Sequence, residues 1–191
     1  MNSSREKRHN RMRARILKAA RKLVHASGFN KLSLRAIARE VDYSPAGLYE
    51  YFPNKDAIID SLCEQTEQQL VNTLELSVQQ NTSDHPLVAM GLAYISFANQ
   101  NADDFQLLFQ HAQLEPSHNI TNAFMELVED AVDNGEFLPG YDFEDEEMAH
   151  SYWAMAHGIA MLALTREQYN TLDDRDVHRE ILQRLLLGLR S

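Results

Sequence analysis

Ser44-Pro45-Ala46-Gly47-Leu48-Tyr49-Glu50-Tyr51-Phe52-Pro53-Asn54-Lys55-Asp56 is the stretch whose reading decides the fold. A serine that can cap is followed by a proline at the first helical position, where its missing N–H costs nothing. Leu48 and Phe52, four apart, face one core. Pro53-Asn54 breaks the segment, so the helix runs from Pro45 to about Phe52. Asn54 then caps a fourth helix with Asp56 in its first turn. Just upstream, Ser33 caps a short helix with Leu34, Ile37, Ala38 and Val41 inward. Val41-Asp42-Tyr43 is the tight turn between the two. Further back, Ile16, Leu17, Ala20, Leu23 and Val24 recur on one face of a helix over Met12 to Ala26, which Gly28 ends. Three short helices with a tight second turn and a basic lead-in read as a helix-turn-helix over about 33–52. Pro45, Ala46 and Gly47 put only small side chains at the helix end that enters a major groove. Tyr49, Tyr51 and Lys55 carry hydroxyl and ammonium donors within reach of phosphates. Ser33 and Arg35 on the second helix complete the candidate DNA contacts.

Working outward, the rest of the chain is also punctuated as helices. The fourth carries Ile58, Ile59, Leu62, Leu70 and Leu74 to about residue 80, and others are expected at about 86–99, 103–112, 117–134, 143–167 and 173–189. Breaks fall at the polar run 81–84, at Glu115-Pro116, at Asn134-Gly135 with Pro139-Gly140, and at 170–173. The fold class is therefore all-α. An N-terminal DNA-binding domain is expected over 10–70, and a C-terminal helical bundle over 82–191. Charge divides the chain the same way. Residues 1–55 hold 13 Lys and Arg against 4 Asp and Glu, whereas 56–191 hold 5 against 24, within a net charge of −10. A basic head suits a polyanion even though the whole chain is acidic. Nine basic residues lie between Arg5 and Lys22, and this tail is expected to be disordered without DNA.

Other classes fall away. The single cysteine, Cys63, allows no internal disulfide and no Cys-based zinc site; it reads as a small buried hydrophobe. The longest apolar run, 159–164, is far short of the roughly 20 residues of a membrane helix, and no signal-peptide core opens the chain. A cytoplasmic protein is expected. His150 and His157 could share a helix face, but no His-Glu-x-x-His spacing occurs, and the acidic run 142–147 suits a helix start. No nucleophile triad, phosphate loop or dinucleotide fingerprint stands out, so neither enzyme activity nor a metal or cofactor is expected.

The segment from Arg15 to Leu62 resembles the DNA-binding domain of the tetracycline-repressor (TetR) family. The resemblance lies in Ile16-Leu17-Lys18-Ala19-Ala20, Gly28-Phe29, Ser33-Leu34-Arg35-Ala36-Ile37-Ala38 and the whole of Ser44 to Asp56. It implies an all-helical homodimeric transcriptional regulator, usually a repressor, in which Ser44 to Gly47 face bases while Tyr49, Tyr51 and Lys55 hold phosphates. The turn departs from the family habit of Gly-Val, so a left-handed position falls to Asp42, which tolerates it better than most residues. Trp153-Ala154-Met155-Ala156-His157-Gly158 resembles the Trp…His-Gly signature of one C-terminal subgroup.

Two expectations complete the reading of a one-component regulator. An effector pocket is expected in the C-terminal domain, bordered by Trp153 and His157 with Tyr94, Phe105 and Phe124, since an apolar cavity with a few polar groups is the usual small-molecule site. The acidic body favours a neutral or cationic effector, whose binding would release a pseudo-palindromic operator. The dimer interface is expected on the last two helices, through Leu182, Leu185, Leu186 and Leu189. The alternative is a ligand-independent helical DNA-binding or architectural protein, in which the body would be dry and filled.

Overall fold

A computed structural model describes residues 4–111, 118–138, 144–165 and 175–189. Among them all regular structure is helical: α1 (Ser4–Ser27), α2 (Leu34–Glu40), α3 (Pro45–Leu48), α4 (Lys55–Gln79), α5 (Pro86–Gln100), α6 (Ala102–His111), α7 (His118–Asp133), α8 (Asp145–Thr165) and α9 (Arg175–Leu189). The chain folds as two compact units, Met1–Thr66 with Asp103–His111, and Glu67–Ala102 with Ala112–Ser191.

In the first unit the helix boundaries follow from capping. Ser33 Oγ accepts from Ala36 N–H at 3.2 Å, Ser44 Oγ from Gly47 N–H at 2.9 Å, and Asn54 Oδ1 from Ala57 N–H at 2.8 Å. Each satisfies a donor that the first helical turn leaves without a partner. α2 ends in a left-handed cap. Asp42 has φ 54°, and Tyr43 N–H reaches back to the Ala38 carbonyl at 2.9 Å. That six-to-one bond is the Schellman closure, made here around an aspartate where glycine is usual. Ile16, Ala20, Ile37, Leu48, Phe52, Ile58 and Leu62 are buried from α1 to α4, and Phe105 of α6 is buried with them in this unit.

Two boundaries differ from the expected ones. The lead-in is helical from Ser4 and not disordered, and α3 stops at Leu48, with Tyr49 to Tyr51 in turns. After Leu48 the backbone closes by i→i−3 bonds, Tyr49 N–H to the Ala46 carbonyl at 3.3 Å and Tyr51 N–H to the Leu48 carbonyl at 2.9 Å, and α1 packs beside these turns. Arg13 of α1 donates to the Tyr51 carbonyl, and its guanidinium lies 4.0 Å over the Phe52 ring. Arg15 donates to the Val41 carbonyl at 3.0 Å. Cations of α1 thus reach the carbonyl at the C-cap of α2 and the carbonyl of Tyr51 in the turns that follow α3.

The second unit is built on α5 and α8, with α7 and α9 packed against them. Gly91 lies where α5 meets the Leu182 side chain of α9. A Cβ there would stand 2.9 Å from Leu182 Cδ1, so a larger residue would force that side chain to shift. Tyr152 is buried beside it and donates its hydroxyl to the Leu182 carbonyl at 3.3 Å. His85 caps α5 through Nδ1, which accepts from Leu87 N–H at 3.2 Å, and its Nε2 lies 3.3 Å from Glu136.

Candidate functional site

The start of α3 presents Ser44, Pro45 and Ala46 to solvent, with Gly47 half-buried. The Ser44 oxygen is engaged as the cap, which leaves its O–H as a donor. A Cβ on Gly47 would collide with the Tyr43 ring, whose Cδ1 would be 2.9 Å away. The missing side chain therefore serves the turn itself before it serves any groove. Tyr49 points outward, 58% exposed. Tyr51 is half-buried. Its ring stacks on His9 at 4.9 Å and meets the Tyr43 ring edge-on at 6.1 Å. A hydrogen bond with Tyr43, and then burial, raise its hydroxyl above the usual phenol range. Lys55 is half-buried at the first position of α4, and Ser33 and Arg35 are exposed at the start of α2.

Much of the basic head has internal work. Besides Arg13 and Arg15, Lys22 pairs with Glu40 at 2.5 Å, and Arg21 pairs with the buried Asp104 of α6 at 2.8 Å. His25 reaches the same Asp104 oxygen at 3.1 Å. Cys63 is buried in this unit, and burial, with Asp60 and Asp104 nearby, pushes its thiol up to about 11. It is therefore protonated and inert at neutral pH.

In the second unit four of the five expected pocket residues come together. Tyr94 and His157 are joined by a 2.8 Å bond from hydroxyl to Nδ1, and Trp153 stacks on His157 at 5.3 Å. Phe124 meets Tyr94 edge-on at 6.1 Å. Burial lowers the His157 pKa, so the neutral ring can accept the Tyr94 proton. Burial raises the Tyr94 hydroxyl well above its usual range. Phe105, the fifth, belongs to the first unit, where its ring lies 4.7 Å from Phe109. Trp153 sits between His150 and His157, with ring centroids 5.7 and 5.3 Å away. Among the described residues no group of three or more His, Cys, Asp or Glu side chains gathers to hold a metal ion.

Tyr94 and Phe124 are buried and Trp153 and His157 half-buried, and three open cavities lie elsewhere in the unit. One of about 640 Å³ runs between α7 and α8, lined by Thr121, Met125, Glu146 and His150 among others. A second, about 460 Å³, lies along α4 and α7, and a third, about 790 Å³, along α4, α5 and α9. The expected interface residues divide. Leu182 and Leu186 are buried within the chain and Leu185 is half-buried, while the Leu189 side chain lies outside the described residues. The apolar side chains that α8 and α9 turn outward are Met155, Leu162 and Leu187, the last 61% exposed. No helix among the described residues is long and apolar enough to cross a membrane.

Sequence reasoning missed His9, Arg13, Arg15, Tyr43 and Gly91. The arginines looked like phosphate ligands because a basic run carries no mark of which carbonyl each side chain will meet.

A short helix closed onto a capped, small-residue helix start, with tyrosines beside it, defines a helix-turn-helix DNA-binding protein. The model of the tetR family of bacterial regulatory proteins matches residues 16–62, and that of a tetracyclin repressor-like C-terminal domain matches 87–189. The chain belongs to the TetR family, whose members are DNA-binding regulators and not enzymes. It is 29% identical over 105 residues to the nucleoid occlusion factor SlmA of Mannheimia succiniciproducens, covering 52% of this chain and 47% of that protein. It is 38% identical over 56 residues to the HTH-type transcriptional regulator UidR of Escherichia coli, covering 29% of each. The chain thus spans about half or less of the length of these curated relatives. A Rhodococcus protein of unknown function has the same fold at 26% identity and a TM-score of 0.76, over 94% of this chain and 95% of that one. A TetR-family regulator of Pectobacterium atrosepticum matches in fold alone, at 17% identity and a TM-score of 0.75, over 99% and 98%.

Proposed function

We propose that the chain is a homodimeric one-component regulator of the cytoplasm, a repressor that leaves a pseudo-palindromic operator when a small molecule binds. Residues 10–70 read DNA; residues 82–191 bind the effector and dimerise. The observation that carries the DNA half is the exposed, capped start of α3, flanked by the outward Tyr49 and by Lys55 within residues 1–55, where Lys and Arg outnumber Asp and Glu by 13 to 4. Ser44 to Gly47 meet base edges, and Tyr49, Tyr51 and Lys55 meet phosphates, with Ser33 and Arg35 beside them.

Dimerisation is assigned to the outward faces of α8 and α9. Met155, Leu162 and Leu187 supply exposed apolar surface there, and open space surrounds a Cβ built on Gly158 or Gly188. Helices bearing glycine on the meeting face can approach closely. The effector enters the 640 Å³ cavity between α7 and α8, because its wall residue His150 leans on Trp153 and so on the Tyr94–His157 pair. The acidic lining Glu146 and Glu147 favours a neutral or cationic ligand. Trp153→Phe and His157→Ala test this directly. Full operator affinity with lost induction supports the pocket; joint loss of fold and binding makes both residues structural.

A second reading draws on the SlmA relatives and on the buried Tyr94 and Phe124: a nucleoid-associated DNA-binding protein that needs no small molecule. Operator binding that no compound in an inducer screen weakens would favour it.

A further inference from the structure

The groove along α4 and α7, about 460 Å³ in volume, has an apolar floor. Met90 is buried there, and Val71, Val78 and Leu127 are half-buried. Its walls are acidic. Glu67 and Glu75 stand on α4, Glu126 and Asp130 on α7, and among the described residues that line it there is no Lys, Arg or His. One end is tied, since Asn119 Nδ2 donates to Glu67 Oε1 at 2.6 Å. Residues 67–79 of α4 follow the groove for about 18 Å at roughly 1.5 Å per residue.

The protein has little with which to neutralise these walls. Between Lys55 and Arg166 the chain holds 19 Asp and Glu and no Lys or Arg. Two arginines of α9 are engaged elsewhere, Arg179 by Asp84 and Asp176, and Arg184 by Glu180. Among the described residues the carboxylates of Glu75, Glu126 and Asp130 meet no hydrogen-bond or ion-pair partner. Like charges facing each other across an apolar floor focus a negative potential into the groove. Charge complementarity therefore calls for a long, thin cation with an aliphatic body.

We infer that the α4–α7 groove binds a linear aliphatic polyamine. Its methylenes lie on Val71, Val78 and Leu127 while its ammonium groups meet Glu75, Glu126 and Asp130, in the way that a lysine stem lies on apolar surface with its head in water. Glu126 and Asp130 are one helical turn, about 6 Å, apart along the axis, a distance that a butylene spacer covers. A divalent metal ion fits less well, because it needs carboxylates gathered on one point, and no such group occurs among the described residues. A basic helix, about 10 Å or more across, is too wide for the groove. The site is separate from the α7–α8 cavity and does not depend on the DNA-binding reading.

The test titrates the full chain with spermidine by calorimetry, without DNA and at low salt, where surface charge is least screened. E75Q/E126Q is compared with E129Q/D133N, which removes the same charge from exposed positions of α7 outside the groove lining. Hexaamminecobalt(III), as trivalent as spermidine but without methylenes, and trilysine are titrated alongside. The wild type is expected to bind about one spermidine per chain. E75Q/E126Q should weaken binding about tenfold, the scale of two exposed ion pairs lost together, and E129Q/D133N by less than about twofold. Glu75 and Glu126 are exposed, so wild-type helicity is expected of that variant, and the comparison of ligands needs no variant at all. Hexaamminecobalt(III) should bind about tenfold more weakly than spermidine, because it leaves the apolar floor in water. Equal losses in the two double variants overturn the inference, as does equal binding of the two trivalent cations, since either means diffuse attraction to an acidic surface. Binding of trilysine without spermidine overturns it in favour of a basic peptide. Folded wild type that binds no spermidine overturns it outright, and leaves the DNA-reading function untouched.

Discussion

In the first unit cations of α1 meet backbone carbonyls beside two short helices, and in the second tyrosine hydroxyls meet a carbonyl and a histidine. In the first, Arg13 and Arg15 reach the Tyr51 and Val41 carbonyls, beside helices too short to persist alone. In the second, Tyr152 meets the Leu182 carbonyl and Tyr94 meets His157 inside a bundle of long helices. Residues 1–55 are strongly basic and 56–191 strongly acidic. The difference teaches that positive charge here has two uses. Part of it builds the reading element, and only the remainder is left on the surface for a polyanion. A raw count of basic residues overstates the DNA-facing charge.

The largest effect that can break this comparison is in the first core. Phe52 is fully buried under Arg13. Phe52→Ala should cost about 3–5 kcal/mol and abolish DNA binding. If the two units are held by separate cores, circular dichroism should show two melting steps, with the α5–α9 helices surviving the first. One unchanged step would contradict the separation. In the second core, Leu182→Ala should cost about 2–5 kcal/mol, because the side chain fills the space over Gly91. The double change Met155→Glu with Leu187→Glu, on the outward face, should shift the unfolding midpoint little yet give monomers by sedimentation. A double variant that remains dimeric moves the interface off α8 and α9.

These contrasts also show what the sequence could and could not convey. Caps are local, so Ser33, Ser44 and Asn54 were legible, as was the left-handed burden on Asp42. The inward direction of Leu48 and Phe52 follows from their spacing. The early end of α3 does not, because the backbone there tightens into i→i−3 bonds that residue spacing does not reveal. Nor does the inward turn of Leu182 and Leu186. The stripe on α9 is broad enough for a core or a partner, and its inward side is set by the packing of α9 on α5 and α8, which lie far away in the sequence. Phe105 looked like a body residue because chain order suggested it, whereas α6 packs with the first unit.

A smaller effect separates the phosphate contacts from the structural cations. Lys55→Ala should weaken all duplexes alike and flatten the salt slope by about 0.9. Arg13→Gln, by contrast, should lower helicity as well. Equal loss of structure in both would merge the two uses of charge.

The smallest effect concerns pH. Burial lowers the folded pKa of His157 below its ordinary 6.5. As pH falls through 6.5, the unfolded chain takes up a proton that the folded chain refuses. Stability of the second unit should therefore decline downward from that point and level off below the folded value. Urea titrations at about pH 7.5 and about pH 5.5 should show the decline in wild type and a smaller one in His157→Gln. Equal slopes would mean that the Tyr94–His157 pair has no part in the acid response.

If the chain is the proposed homodimer, two copies of the α3 start read successive major grooves of one duplex. Selection from a randomised duplex pool by the full chain at moderate salt tests it most directly. The account predicts a pseudo-palindrome whose half-site centres lie about 34–36 Å apart or slightly more. Recovery of unrelated sequences bound with equal affinity would contradict it.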